Sequence, residues 1–249
     1  MWTQEFLDIN PPSWSISVEF WIYLGFGLLL ILRWVRPSVI AVLAIFSGLV
    51  LYIAVGQIGA TLEFGIFRCA CGFFTGVFIH WLYQAAVKSQ RDWSPVVWLE
   101  VPVVVGVIVF VIMAGPSEWS LLAPCVFGLT VWVFAFERGP VSRLMMSAPI
   151  RKLGDLSYTI YMTHSLVAVA LADGLAWIMN RLGVDYRYQA EMYGEDVNIL
   201  SFPNDFVADL NAFVYLGLVV AAAAVMSRWV EVPCRDWFGS QARRLAYQR

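Results

Sequence analysis

Ser157, Tyr161 and His164 stand at i, i+4 and i+7 in the run Leu153-Gly154-Asp155-Leu156-Ser157-Tyr158-Thr159-Ile160-Tyr161-Met162-Thr163-His164. On a helix that spacing brings a hydroxyl, a phenol and an imidazole to one face. Such a trio either lines a polar cavity or forms a buried network that only fixes packing. Arg68 is the second candidate, with Gly65, Gly72, Gly76 and His80 on the same arc of a helical wheel. Gly72 and Gly76 form a G-x-x-x-G pair of the kind that lets helices approach closely, so this stripe is expected to be a packing face. Glu19 is the third, just after Asn10-Pro11-Pro12-Ser13-Trp14-Ser15, where Ser13 or Ser15 could cap a helix opened by the proline pair. Asp173 offers Arg68 a second carboxylate partner besides Glu19.

Familiar soluble chemistries are missing from the chain. It has no G-x-S-x-G elbow, P-loop, H-E-x-x-H or dinucleotide glycine fingerprint, and His80 and His164 are its only histidines. Cys69, Cys71, Cys125 and Cys234 are scattered without paired spacing, which gives neither a disulfide framework nor a metal site.

The elements that must position these side chains follow from composition. Of 249 residues 60% are hydrophobic and only 14% charged, and mean hydropathy is +0.71. A soluble domain carries about a quarter charged residues, so an integral membrane protein is expected. The net charge of −2 supplies no basic field for nucleic acid. Apolar runs near the ~20 residues needed to cross the hydrocarbon core fall at 16–32, 38–55, 64–87, 96–114, 119–136, 156–178 and 212–230. With no strand-like alternation these read as seven helices, an all-α polytopic bundle forming one transmembrane domain over 1–249. Ionisable groups at such depth cost several kcal/mol unless paired or hydrated, so Glu19, Arg68 and His164 are expected to line one cavity.

Basic residues sort by loop. Arg33, Arg36, Lys88, Arg91, Arg138, Arg143, Arg151, Lys152, Arg228, Arg235, Arg243, Arg244 and Arg249 fall on one side, and Arg181 and Arg187 on the other. The positive-inside rule then puts the N-terminus outside and the C-terminus in the cytoplasm of a cell (inner) membrane. The long segment 180–211, with Asp185, Glu191, Glu195, Asp196, Asp205 and Asp209, becomes an outer loop that reads as a lid or a solvated connector. Residues 1–15 hold Glu5 and Asp8 but no Lys or Arg, unlike a signal peptide or a cytoplasmic start, which leads us to expect preceding spans.

Four segments in order resemble the acyltransferase-3 family of polytopic membrane acyltransferases. Trp14-Ser15-Ile16-Ser17-Val18-Glu19-Phe20-Trp21-Ile22-Tyr23 is similar to its Trp-Ser-Leu-Ser-x-Glu-x-x-x-Tyr signature, with Phe20 where many members carry a second acid. Arg68 with Gly72, Phe73 and Gly76 is similar to its glycine-rich arginine span, Leu153 to His164 to its Leu-Gly-x-x-Ser-Tyr-x-x-Tyr-x-x-His segment, and Glu231, Pro233 and Arg235 to its Glu-x-Pro-x-Arg ending. The family's catalytic histidine belongs to an N-terminal span with no counterpart here, so the resemblance implies a chain lacking the first three of ten spans, with little activity of its own. It also implies acyl-CoA, usually acetyl-CoA, as donor substrate with no bound cofactor, and a glycan or lipid-linked sugar as acceptor. Glu19 and His164 would be catalytic, and Trp14, Ser15, Arg68, Ser157 and Tyr161 would bind substrate. A transporter or flippase, or a non-catalytic assembly subunit, would also place polar groups at membrane depth.

The basic-residue pattern makes the first prediction. Reporter fusions after Arg36, Arg91, Arg143 and Arg249 read cytoplasm and one after Tyr188 reads exterior; a cytoplasmic signal at Tyr188 overturns the orientation.

Overall fold

The computed structural model describes residues 13–59, 63–89, 91–183, 187–192, 195–200, 202 and 204–247. Asn10, Pro11 and Pro12, and Asp185, Tyr186 and Tyr193, lie outside them. The chain is an all-α membrane protein. Among the described residues six helices are long and apolar enough to cross a bilayer, and a shorter apolar helical segment, Glu118–Phe134, joins them. That segment opens with a 3-10 stretch, Glu118–Leu122, before the helix Ala123–Phe134. The greater rise of a 3-10 turn stretches it to about 28 Å, close to the ~30 Å hydrocarbon core.

Two compact units divide the chain, one over Ser13–Arg151 and the other over Lys152–Arg249. The first contains α1 (Ser13–Ile31), α2 (Pro37–Ala54), α3 (Gly65–Lys88), α4 (Glu100–Ala114, preceded by a 3-10 turn Ser94–Leu99), α5 (Ala123–Phe134) and the short α6 (Pro140–Met145). Proline marks the starts: Pro37, Pro124 and Pro140 occupy first-turn positions, where no intrahelical N–H is required, and Arg36 before Pro37 is extended at φ −122°, ψ 149°. The end of α1 closes with Arg33 in the left-handed region at φ 57°, Trp34 N–H donating to Leu29 O and Arg33 N–H to Leu30 O, a Schellman closure.

In this unit α3 is central, packing on α1, α2 and α5. Its buried face carries Ala70, Cys71 and Phe74 against Ile22, Ile40 and Leu51, with Phe26 and Phe73 around them. This corrects the expected glycine packing face. Gly72, Gly76 and His80 are exposed, and a Cβ on either glycine would meet nothing within 4 Å. The aromatic bulk of Phe73 and Phe74 fills the contacts with α1 and α2, and Gly72 and Gly76 are turned away, while Gly65 at the start of the stripe is buried. The four cysteines are free.

The second unit contains α7 (Ala148–Asp155, which straddles the boundary), α8 (Ser157–Arg181), the antiparallel strands β1 (Arg187–Met192) and β2 (Glu195–Leu200), α9 (Asp205–Met226) and α10 (Val232–Tyr247). The 180–211 connection, read as a lid or a solvated connector with no strand-like alternation, holds a paired ribbon. The last span begins earlier than residue 212, because Asn204 caps α9 by accepting the Val207 N–H at 2.9 Å. It also does not stop at residue 230. A π-helical turn, Ser227–Glu231, carries the helix on into α10. α8 packs on α9, where Thr159, Thr163, Ala176, Val219 and Ala223 are buried, small side chains that allow close approach without a hydrophobic driving force. Large apolar side chains such as Ile31, Ile53 and Ile112 are exposed, as they must be where lipid is the solvent.

Sequence reading overlooked Glu100, which is 1% exposed. Its carboxylate accepts the backbone N–H groups of Gly139 (2.7 Å), Val141 (3.0 Å) and Ser142 (3.0 Å) and the Ser142 hydroxyl. The start of α4 thereby clasps the N-terminus of α6, with charge matched to the helix dipole. A methyl group at Gly139 would overlap the carboxylate, so only glycine fits there. Glu100→Ala is expected to cost about 2–3 kcal/mol by stranding these donors, and Gly139→Ala about 1–3 kcal/mol by overpacking. Unfolding midpoints of the detergent-solubilised variants measure both, and unchanged midpoints would show the clasp to be idle.

Candidate functional site

The candidate residues fall into two groups, one in each unit. In the first, Trp14 on the opening turn of α1 lies against the start of α3. Its ring covers Gly65 so closely that a Cβ there would stand 2.9 Å from ring carbon Cζ3. The guanidinium carbon of Arg68, one turn further along α3, lies 5.5 Å from the Trp14 ring centroid. Glycine at 65 lets the indole settle, and the indole face then holds the cation, a contact worth about 0.5–2 kcal/mol. Ser15 and Glu19 are half-buried on the same helix. The charge of Glu19 reaches Tyr23 and Cys69, and that of Arg68 also reaches Cys69. Glu19 and Arg68 thus both lie within electrostatic range of Cys69. Beneath them Tyr23 and Phe26 pack edge-on against Phe73, at 5.6 and 5.2 Å between ring centroids. Asp173 belongs to α8 in the other unit and is exposed.

In the second group α8 carries Ser157, Tyr161 and His164 along one edge; Ser157 and Tyr161 are exposed and His164 is half-buried. The His164 ring is fixed by its own helix, with Nδ1–H donating to the Tyr161 carbonyl at 2.6 Å and the two rings 5.7 Å apart. With the proton on Nδ1, a neutral imidazole keeps its lone pair on Nε2. Tyr215 of α9 donates its hydroxyl to the His164 carbonyl at 3.2 Å. This edge therefore offers a proton acceptor beside a phenol and a hydroxyl, the set from which general base catalysis of transfer to an alcohol is built.

The opposite edge of α8 was not singled out in the sequence. Thr159 donates its hydroxyl to Glu231, and Thr163 donates to the Thr159 carbonyl at 2.8 Å. Glu231 was visible through its Glu-x-Pro-x-Arg setting, but nothing local in the sequence pairs it with a threonine 72 residues earlier. A groove of about 470 Å³ between α2 and the 3-10 turn before α5 is lined by Ile45, Gly48, Leu49, Tyr52, Glu118, Trp119, Leu121 and Leu122, and holds none of the candidate residues.

The tight Trp14–Gly65 contact gives a coupled prediction. Gly65→Ala is expected to destabilise by about 1–3 kcal/mol through overpacking, and combining it with Trp14→Leu to recover part of that loss. Additive losses in a double-mutant cycle of thermal midpoints would mean that the ring and the glycine do not meet.

No curated protein and no solved structure shows significant similarity to this chain. A family model described as an acyltransferase domain matches residues 1–185. The match takes in the Trp14–Tyr23 segment, the Arg68 span and the Ser157–His164 segment, and ends before Glu231. Covering well over half of the 249 residues, it establishes that the chain belongs to the acyltransferase-3 family of membrane acyltransferases.

Proposed function

We propose that this membrane acyltransferase is an O-acyltransferase, moving an acyl group, acetyl in the simplest case, from cytoplasmic acyl-CoA to a sugar hydroxyl of an exported polysaccharide or glycolipid. It would sit in the cell (inner) membrane with its C-terminus in the cytoplasm. The observation that supports the chemistry is the contact of His164 Nδ1 with the Tyr161 carbonyl, which assigns the ring proton to Nδ1 and leaves the lone pair on Nε2, the atom we assign as the base.

In this reading Nε2 takes the proton of the sugar hydroxyl as its oxygen attacks the thioester carbonyl. The C–O bond forms, the tetrahedral oxygen carries the charge, and the C–S bond breaks as the proton passes from Nε2 to the departing thiol. The Tyr161 and Ser157 hydroxyls, on the same edge of α8, suit the oxyanion or the acceptor hydroxyls. Trp14, Ser15 and Arg68 are assigned to substrate binding, Arg68 as a cation held in place by the indole face. Glu19 is assigned to accepting a sugar hydroxyl, a bond in which a carboxylate is a strong acceptor.

Transfer from labelled acetyl-CoA to extracted glycan, measured in membranes that carry an active form of the protein, tests this. His164→Ala is expected to lower transfer by about 10² to 10⁴-fold, the usual size of a general-base loss. Glu19→Gln and Arg68→Ala should also reduce it, with expression and membrane insertion unchanged. Near-parental transfer by all three variants would leave these residues as packing elements and remove the assignment.

A further inference from the structure

The two edges of α8 do different work. Thr159 and Tyr161 are about 200° apart around the helix, as are Tyr161 and Thr163. Thr159 and Thr163 are buried, whereas Ser157 and Tyr161 are exposed. α8 is tied to the other helical run of this unit at two heights, once from its buried edge and once through the backbone carbonyl of His164. At the lower one Thr159 donates to the Glu231 carboxylate. One turn further on, the Tyr215 hydroxyl donates to the His164 carbonyl.

Glu231 is well placed to be the stronger tie. It closes the π-helical turn Ser227–Glu231, a local widening that often marks a functional position in an otherwise regular helix. Arg235 Nη1 lies 3.5 Å from its Oε1, and the Ser227 hydroxyl also reaches the carboxylate. The Thr159 hydroxyl therefore meets an acceptor already held from two sides. A carboxylate so held fixes both the height and the rotation of α8. That rotation decides where Ser157, Tyr161 and His164 are presented.

We propose that Glu231 is a positioning residue for His164, acting through Thr159 to set the rotation of α8. The proposal rests on the acyltransferase reading for its consequence in catalysis, but the positioning itself is a property of α8 and can be read without any substrate.

The chain has two histidines, and His80 is exposed and outside both candidate groups. In a His80→Asn background, modification of the full chain by diethyl pyrocarbonate, followed by ultraviolet difference absorbance, reports His164 alone. Glu231→Gln and Thr159→Val are expected to change that modification rate severalfold, and Thr159→Ser, which keeps the hydroxyl, to leave it at the parental value. In acetyl transfer the first two should lower kcat by about 10²-fold with little change in KM, the scale of a misplaced catalytic group, while Thr159→Ser stays active. Thr159→Val retains the shape of threonine and serves as the test if Glu231→Gln does not fold. Equal modification rates in all variants overturn the positioning role. A shifted rate together with full acetyl transfer in an active form of the protein supports the positioning and removes His164 as the base of the proposed transfer instead.

Discussion

Inside hydrocarbon no water is available to take up a hydrogen bond, so every polar atom brought to that depth has to be satisfied by the chain itself. The backbone meets this demand by becoming helical wherever the composition is apolar. The side chains meet it through a few pairings at helix ends and on helix faces. Glu100 against the start of α6, Thr159 against Glu231, and the His164 ring against its own backbone are three solutions to the same problem.

Packing carries less of the specification here than in a soluble protein. Apolar side chains gain little by leaving lipid for a helix interface, so shape and polar ties must choose the arrangement. In the first unit shape dominates, with Ala70, Cys71 and Phe74 of α3 set into the faces of α1 and α2. In the second, where α8 meets α9 through threonine, alanine and valine, the polar ties at Glu231 and Tyr215 do more of the choosing.

Helix positions were legible because composition alone settles them: α2, α3 and α8 begin within a residue of the first apolar position of their runs. The packing face of α3 was misread because glycine spacing marks where a helix can approach, not where one does. Neighbouring phenylalanines offered more contact and won. The β1–β2 ribbon escaped notice because Tyr188, Ala190 and Met192 alternate with polar residues over only six positions, in a segment dense with acids. His164, Tyr161 and Ser157 were readable from helical spacing, which is local. The fixed tautomer of His164 and the partner of Glu231 were not, since one depends on a rotamer and the other on a helix pairing far away in sequence.

Glu100 and Glu231 show why a carboxylate at the edge of an apolar run has to be judged by its donors before it is given chemistry. A carboxylate has about four acceptor sites. At Glu100 the donors are three backbone N–H groups and a hydroxyl, all from the start of α6, so the acceptor capacity is spent and the group is closed to substrate. Its role is to hold α4 to α6. The side chain of Glu231 is 23% exposed, and its donors are a threonine on another helix, a serine in its own π turn and an arginine one turn on. Only the threonine comes from another helix, so the group links the position of one helix to another and does not seal a helix end. The difference lies in where the donors originate, and the sequence, which shows two glutamates at the edges of apolar runs, contains no sign of it.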